Sequence, residues 1–384
     1  MRGVLTVVGA AVVAATLAFP GVVHASTPPK LHFNDVPAGF WAKADVSWAV
    51  SSGWMTPRST TSFGIGHTVS RLTAARVLAQ LNAKVSTTHT PVAADPYTQA
   101  VAAGWIGPGT GPDQVITQLQ FDHGVVRILG LQRTAKALSG LHTSTGWHPA
   151  LPVGFGVEQM VRAVGARVNA PDGSDQWELW PNDDLLRADL AAEAYQLAHL
   201  EPWAVSFAQT KTDVLSALPT WMPLRRKVLG FALRYAGAPY VWGGTSPNRQ
   251  SPLGAPVAGG FDCSGFVWWV MKLHTYSVPG TTWSGARAIG NLRTTYQMAQ
   301  ALKTAHRIPR SGLHPGDILF WSSAPNGVHT SWKTVYHTGI YLGNGWTINS
   351  HGSGDGVTID YMGPGAGWYH DAFAFGWRVM PLHR

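Results

Sequence analysis

Hydrophobic and polar residues follow two different patterns along the chain, and these patterns divide it into two halves. In the first half, apolar residues recur at helical spacing, as at Leu186, Leu190 and Ala194. In the second half, short apolar runs such as residues 318–321 follow turns that contain Gly or Pro, which is typical of strands. A helical half followed by mixed helices and strands predicts an α+β chain.

One pattern occurs three times in the helical half. Each copy has an apolar helix, a glycine that ends it, a polar loop, and a second helix that opens near an Arg or Gln. The three glycines are Gly53, Gly104 and Gly165. A helix–loop–helix unit of roughly 50–60 residues needs neighbours to bury its apolar face, so we expect the copies to pack together.

Residues 1–25 have the features of a secretory signal peptide. Arg2 provides the positive start, the residues up to Phe19 are apolar or small, and residues 23–25 have the small-x-small form of a cleavage site. The apolar run is near the lower limit for spanning a bilayer, so an uncleaved anchor is the alternative. We expect a secreted protein that has no membrane contact after cleavage.

Composition narrows the functional classes. The 384 residues are 45% hydrophobic and only 12% charged, with a formal net charge of +8. Such a low charge density argues against a nucleic-acid binder, which would cluster its basic residues. The positive charge favours an anionic partner, although solubility alone explains it equally well. A single cysteine excludes a disulfide framework and Cys-rich metal sites. The histidines and acidic residues form no cluster with the spacing of metal ligands, so we expect neither a metal nor another cofactor.

That cysteine, Cys263, has the surroundings of a nucleophile. Asp262 is a good N-cap, and Phe266, Val267 and Val270 then follow at helical spacing. Cys263 therefore lies in the first turn of a helix, where free N–H groups and the helix dipole favour the thiolate. The carboxylate of Asp262 opposes this effect, so the direction of the net pKa shift stays open.

A nucleophilic thiol needs a base, and a hairpin in the second half provides one. Residues 335–342 and 346–351 flank a Gly-Asn-Gly loop at 343–345. A three-residue loop pairs Leu342 with Trp346 and His337 with His351, which places the Cβ atoms of the two histidines about 4.5–5.5 Å apart. One imidazole then orients the other, as a Cys–His pair requires. A loop of another length would shift the register.

These motifs occur in a characteristic order. The chain has Pro-Tyr-Val-Trp-Gly-Gly at 239–244, Asp-Cys-Ser-Gly at 262–265, Gly-Asp-Ile-Leu-Phe at 316–320 and His-Thr-Gly-Ile-Tyr-Leu-Gly at 337–343. Residues from about 224 to 384 therefore resemble the NlpC/P60 family of cell-wall cysteine peptidases. The resemblance implies a papain-like fold, with an antiparallel sheet packed on the Cys-bearing helix.

The resemblance also implies roles for individual residues. It assigns Cys263 as nucleophile, His337 as base and His351 as the third catalytic member. It places Tyr240 beside the thiol, and Asp262 and Ser264 in the substrate pocket, although Tyr240 and Asp262 also fit purely structural roles. The spacing from Cys263 to His337 is longer than expected of a compact member. The excess lies in residues 273–310 and 324–334, which we expect to form loops near the groove.

The implied activity is hydrolysis of peptidoglycan stem peptides. The family resemblance points to the amide bond between D-glutamate and the diamino acid, cleaved by thiolate attack. Two other readings remain open: a wall-binding protein without turnover, and a related thiol amidase or acyltransferase.

The first half resembles S-layer homology (SLH) modules over roughly residues 30–200. The matching features are Phe-Asn-Asp-Val at 33–36, the Gly-Trp pairs, and Leu-Arg-Ala-Asp at 186–189. The resemblance implies binding of anionic cell-wall polysaccharide through Arg71 and Arg187, whereas the second unit carries Gln118 at that position. The alternative is a helical spacer without a ligand.

The predicted organisation has four parts. Residues 1–25 form the signal peptide, 26–201 an all-α, SLH-like wall-binding domain, 202–222 a Pro-containing linker, and 223–384 the NlpC-type peptidase domain. We therefore expect a secreted, cell-wall-associated protein.

Overall fold

The computed structural model describes most of the chain, namely residues 32–85, 94–109, 111–211, 215, 217–352 and 356–382. The predicted signal peptide lies outside the described residues. Among the residues described, no helix combines the length and the apolar character that a bilayer crossing requires.

In the part of the first half that the structure describes, there are seven α-helices. They are α1 Lys43–Ser51, α2 Arg71–Val85, α3 Pro96–Ala102, α4 Gln118–Ile128, α5 Gln132–Ser139, α6 Phe155–Ala163 and α7 Arg187–Ala198. Local sequence explains several starts. Asp95 accepts hydrogen bonds from the first N–H groups of α3, and Thr117 and Gln120 form a reciprocal capping box at α4.

The predicted glycine stops are confirmed. Helices α1, α3 and α6 are followed closely by Gly53, Gly104 and Gly165, whose φ angles are 76°, 68° and 72°. A left-handed residue after a helix satisfies its last carbonyls, and glycine adopts that conformation without a Cβ penalty. In all three copies, therefore, a glycine in the left-handed conformation ends the first helix.

The three copies also contact one another in a closed ring. Short extended segments precede α2, α4 and α7, and each segment bridges to the other two. The bridges join Ser70 to Val115, Thr117 to Asp184, and Leu186 to Thr68. This pseudo-threefold closure gives each unit two neighbours, as expected for repeats that cannot bury their apolar faces alone.

The second half contains the remaining helices and all the described strands. Its helices are α8 Pro202–Thr210, α9 Pro223–Leu233, α10 Cys263–Val267, α11 Ala286–Ile289, α12 Thr295–Ala301 and α13 Trp368–Asp371. Its strands are β1 Thr245–Ser246, β2 Gly260–Phe261, β3 Tyr276–Val278, β4 Thr281–Trp283, β5 Arg307–Ile308, β6 Ile318–Ser322, β7 Val335–Gly343, β8 Trp346–His351, β9 Gly356–Tyr361 and β10 Phe373–Trp377.

The main sheet has six antiparallel strands in the order β5-β10-β6-β7-β8-β9. Helix α10 contacts β7 and β8 near the middle of this sheet. The predicted hairpin register is confirmed where Ile340 pairs with Ile348 and Tyr341 with Thr347. Next to the turn the prediction was wrong, because a bulge pairs Trp346 with Gly343 rather than with Leu342.

The segment predicted as a linker is not an exposed connector. Prolines at 202, 219 and 223 and scattered polar residues predict a linker, yet Pro202 stands at the start of α8, where proline is compatible with a helix. Trp221 is fully buried and its Nε1 donates to the carbonyl oxygen of Leu342 over 2.9 Å. The described residues of the segment 202–222 are thus integrated into the fold.

The two halves share an interface along strand β9, which is the edge of the main sheet. Gln159 of α6 accepts a hydrogen bond from the Ile359 N–H over 2.8 Å, and Arg162 donates to the Gly237 carbonyl over 2.9 Å. Asp175 accepts a hydrogen bond from the Trp242 N–H over 2.9 Å. The helical half therefore covers an edge that would otherwise expose unpaired backbone groups.

Gly265, the last residue of the Asp-Cys-Ser-Gly motif, is a sensitive packing position. A Cβ at this position would overlap the backbone carbonyl oxygen of Gly244. We expect Gly265→Ala to push α10 off its loop and to lower the free energy of unfolding by about 1–3 kcal/mol, measured by urea denaturation. Gly39→Ala is the matched control, because no atom lies within 4 Å of its Cβ position. Equal stability of the two variants would contradict this packing argument.

Candidate active site

Cys263 opens helix α10, as the sequence predicts. The side chain of Asp262 caps the helix by accepting a hydrogen bond from the Gly265 N–H over 2.5 Å. The sulfur of Cys263 lies 3.4 Å from the Thr295 hydroxyl. A π-helical turn at Trp268–Lys272 continues α10, so the short helix is extended into the core at its far end.

The resting thiol is protonated at neutral pH. Burial raises the pKa of Cys263 to about 11, and the Asp262 carboxylate adds to this shift. Hydrogen bonds from the Thr295 hydroxyl and from the backbone N–H groups of Thr338 and Ser264 oppose the rise without cancelling it. The question that the sequence left open is thus decided by burial. The hydrogen bond to Thr338 also places the sulfur beside the backbone of His337.

His337 lies on the central strand β7 and is buried. Burial lowers the pKa of His337 to about 3, with a further contribution from the neighbouring His351. The imidazole is therefore neutral over the physiological range and able to accept a proton. Its Nε2 lies 2.9 Å from Oδ1 of Asn349, which is on the adjacent strand β8.

The surroundings of Asn349 determine the tautomer of His337. The Asn349 amide nitrogen donates to Oδ2 of Asp360 over 3.2 Å, so its oxygen faces the imidazole. That oxygen also accepts a hydrogen bond from the Tyr369 hydroxyl over 3.1 Å. Nε2 of His337 must then carry the proton, which leaves Nδ1 as the basic nitrogen. This tautomer follows from the hydrogen-bond network.

Asp360 anchors this chain of hydrogen bonds. Burial opposes its ionisation, yet Lys211, the Thr358 hydroxyl and the Tyr369 hydroxyl together lower its pKa. Lys211 lies 3.2 Å from Oδ1 of Asp360, and the Thr358 hydroxyl donates to Oδ2 over 2.6 Å. Lys211 follows α8, so a residue of the predicted linker contributes to the orientation of the histidine.

His351 lies next to His337 but in a different relation from the predicted one. The two ring centroids are 4.9 Å apart with the rings at 74° to each other, and Nε2 of His337 forms its hydrogen bond with Asn349. The ring of Trp368 covers His351 at 5.2 Å and His337 at 5.5 Å. The structure therefore favours Asn349 over His351 as the orienting residue, with His351 as a wall of the site.

The sequence contained a signal for Asn349 that the histidine pairing obscured. In the hairpin register Asn349 stands opposite Gly339, and a Cβ at Gly339 would lie 2.8 Å from the Cβ of Asn349. The missing side chain leaves room for Asn349 to reach His337 diagonally across the strands.

One cavity of about 680 Å³ brings the predicted catalytic residues together. Cys263, His337 and His351 all line it, and so does Tyr240. Burial raises the pKa of Tyr240, and the nearby Cys263 adds to the rise, so its hydroxyl keeps its proton and is available as a donor. Among the described residues, no group of three or more His, Cys, Asp or Glu side chains is placed to hold a metal ion.

Asp262 and Ser264 also line the cavity, held in place by a residue that sequence analysis missed. The guanidinium of Arg293 lies 2.9 Å from Oδ2 of Asp262 and donates to the Ser264 hydroxyl over 2.8 Å. Arg293 also donates to the Gly243 carbonyl over 2.9 Å. It belongs to residues 273–310, where the long Cys–His spacing predicted loops near the groove without indicating a particular side chain.

Arg71 and Arg187 do not line this cavity and are not presented to solvent. They are only 5% and 6% exposed. Arg71 donates to the Gly107 carbonyl, and Arg187 donates to those of Phe63 and Thr56 over 2.8 and 2.6 Å. Burial lowers the pKa of Arg187 to about 10. Both guanidinium groups brace loops of neighbouring repeats, so this geometry does not support the predicted contact with a wall polymer.

Comparison with known proteins agrees with the geometry of the C-terminal half. Residues 237–375 match the sequence profile described as the NlpC/P60 family. This part of the chain is an NlpC/P60 domain. The match includes the cysteine, the histidine and the asparagine described above, and the helical half lies outside it. The crystal structure of the NlpC/p60 domain of the peptidoglycan hydrolase SagA is 25% identical and covers 40% of this chain and 97% of that domain, with a TM-score of 0.26.

Several curated proteins are similar to this NlpC/P60 domain. The bifunctional muramidase/DL-endopeptidase CwlT of Bacillus subtilis is 31% identical over 150 residues, which cover 39% of this chain and 35% of CwlT. The murein DD-endopeptidase MepH of Escherichia coli is 33% identical over 128 residues, or 33% of this chain and 36% of MepH. The chain thus spans about a third of the length of these relatives.

The orienting role of Asn349 predicts the effect of its removal. A histidine that loses its hydrogen-bond partner adopts other tautomers and ring orientations. We therefore expect Asn349→Leu to lower kcat about 10–100-fold, which is part of the roughly 10²–10⁴-fold rate increase that a general base contributes. His351→Asn should have a smaller effect on kcat. His370→Asn, at a half-exposed histidine paired with Asp371, is the control. A larger loss for His351→Asn than for Asn349→Leu would reinstate His351 as the orienting residue.

The raised pKa of Cys263 predicts how its alkylation depends on pH. Because the reactive thiolate forms only as pH approaches about 11, the rate with iodoacetamide should keep rising from pH 7 to 10. Asp262→Asn should speed alkylation at pH 8, since it removes a negative charge and keeps the helix cap. Asp113→Asn, an exposed carboxylate in the helical half, is the control. A rate that is already constant above about pH 5 would indicate a preformed thiolate–imidazolium pair.

Proposed function

We propose that this protein is a cysteine endopeptidase that cleaves the stem peptides of bacterial peptidoglycan. The single observation that supports it most is that Cys263 and His337 line one cavity of an NlpC/P60 domain, where Asn349 holds the imidazole of His337 by a hydrogen bond. Relatives of this domain are named DL-endopeptidase and murein DD-endopeptidase. The proposed scissile bond is the amide between D-glutamate and the diamino acid.

The proposed mechanism begins from a neutral pair. Nδ1 of His337 takes the thiol proton of Cys263 as the sulfur attacks the substrate carbonyl carbon. Because both groups are neutral at rest, the thiolate and the imidazolium form only after substrate has bound and displaced water from the cavity. Asn349 keeps the imidazole in the required tautomer during this step, and Asp360 stabilises the positive charge that develops on it.

The tetrahedral intermediate then needs hydrogen-bond donors for its oxyanion. We assign the backbone N–H of Cys263, at the first turn of α10, and the hydroxyl of Tyr240, which stays protonated because of its raised pKa. The imidazolium of His337 protonates the leaving amine, which leaves a thioester on Cys263. Water, deprotonated by His337, hydrolyses the thioester and restores the thiol.

Secretion and attachment to the wall belong to the same proposal and rest on the sequence. The signal-like residues 1–25 support export, and the three helical repeats support an accessory role in the first half. The positions of Arg71 and Arg187 give no support to polysaccharide binding through those two side chains.

Digestion of purified peptidoglycan followed by mass spectrometry of the products tests the activity. We expect new free amino groups on the diamino acid, and a loss of at least about 10³-fold in Cys263→Ala. Cleavage at the sugar–peptide junction would instead indicate an amidase. A wild-type protein that sediments with the wall and releases no product would be a binding protein. Either result would overturn the proposed bond specificity.

A further inference from the structure

A second cavity adjoins the catalytic one and has no role in the mechanism above. It lies between α8 and the outer strands of the main sheet, with a volume of about 680 Å³. Sites for small ligands usually enclose roughly 300–1,000 Å³, so its size suits a molecule of two or three rings. Tyr336 and His351 line both cavities, which makes the second cavity continuous with the reactive site. We refer to it as the α8 groove.

Aromatic side chains dominate the α8 groove. Trp203 and Phe207 extend from α8 and are 61% and 43% exposed, and Tyr336 on the opposite wall is 49% exposed. Trp368 and Tyr369 complete that wall, where the Trp368 indole donates to the Tyr336 hydroxyl. Exposed aromatic rings grouped in a concave site mark a binding surface, whereas single apolar residues scattered over a surface do not.

The charged groups of the α8 groove are already paired. Arg162 lies 3.1 Å from the Glu158 carboxylate, and Lys211 lies 3.2 Å from that of Asp360. Burial lowers the pKa of His351, so it is neutral at neutral pH. A ligand with its own carboxylates or amines would have to displace one of these pairs. The groove therefore suits an uncharged molecule with apolar faces and polar edges.

We propose that the α8 groove binds the glycan of the same peptidoglycan molecule whose peptide enters the catalytic cavity. This inference rests on the proposed function. An N-acetylhexosamine is uncharged, and its ring C–H groups pack on the negative faces of aromatic rings while its hydroxyls stay at the edges. The two cavities share Tyr336 and His351, and the lactyl group and two residues that connect the sugar to the scissile bond extend to roughly 10 Å, so one substrate molecule can occupy both.

The consequence is a preference for substrate that is still attached to sugar. A peptide linked to a disaccharide gains contacts with Trp203 and Phe207 that a free stem peptide cannot make. Because these contacts are the same in the ground state and the transition state, they lower KM and leave kcat unchanged. Residues outside the NlpC/P60 match thereby determine which form of the substrate is used.

Two measurements on the full chain test this inference. Calorimetric titration with chitotriose, a trimer of N-acetylglucosamine without peptide, should give saturable binding that Trp203→Ala and Phe207→Ala each weaken at least about fivefold. Kinetics with a disaccharide-linked stem peptide should show a matching rise in KM, with no change for the sugar-free peptide. Val153→Ala is the control, an exposed apolar residue, 82% exposed, in the helical half. Thermal melts of the variants verify that they are folded.

The outcomes separate this inference from the proposed function. Cleavage of sugar-free peptide by the wild-type protein tests the function alone. Absence of chitotriose binding up to about 10 mM, or unchanged binding in both aromatic variants, would overturn the glycan groove. An equal loss of activity on sugar-linked and sugar-free peptides would also overturn it, because it would assign the α8 groove to the peptide.

Discussion

The hydrogen bond between His337 and Asn349 is the constraint on which the candidate site depends. It fixes the tautomer of a buried imidazole, and it exists only because Asn349 is itself oriented by Asp360. Asp360 in turn requires Lys211, since a buried carboxylate without a cation would be costly to ionise. The reactivity of the Cys263 sulfur therefore depends on the Lys211–Asp360 ion pair, which acts on it through Asn349 and His337.

The surroundings of that ion pair are also where the two halves of the molecule meet. Lys211 comes from the segment that follows α8, and Trp221 fixes the same segment to the sheet. Gln159 covers the edge strand that carries Asp360, and Asp175 supports the loop that carries Tyr240. A single cluster of buried apolar side chains runs through both halves. The helical half is thus a structural part of the site.

Burial determines the electrostatic state of the site. It moves the pKa values of Cys263 and His337 apart, so that neither group is charged before substrate arrives. The helix dipole at α10 favours the thiolate, but it acts against both desolvation and the adjacent Asp262. A neutral pair protects the lone thiol from adventitious alkylation and oxidation, and it leaves proton transfer to the complex with substrate.

Local sequence determined much of this protein. The capped helix at Cys263, the strand at 318–321, the three glycine stops and the hairpin register at Ile340 all follow from nearest-neighbour chemistry, and they are confirmed. The order of motifs was sufficient to identify the NlpC/P60 domain. Only the tertiary structure decided which polar residue holds His337, because His351 and Asn349 share one strand face and the choice depends on a diagonal contact past Gly339. The positions of Arg293, Lys211 and the α8 groove likewise depend on contacts between residues far apart in the sequence. The burial of Arg71 and Arg187 could not be predicted either, since burial is a property of the packed chain and is not encoded in any short segment.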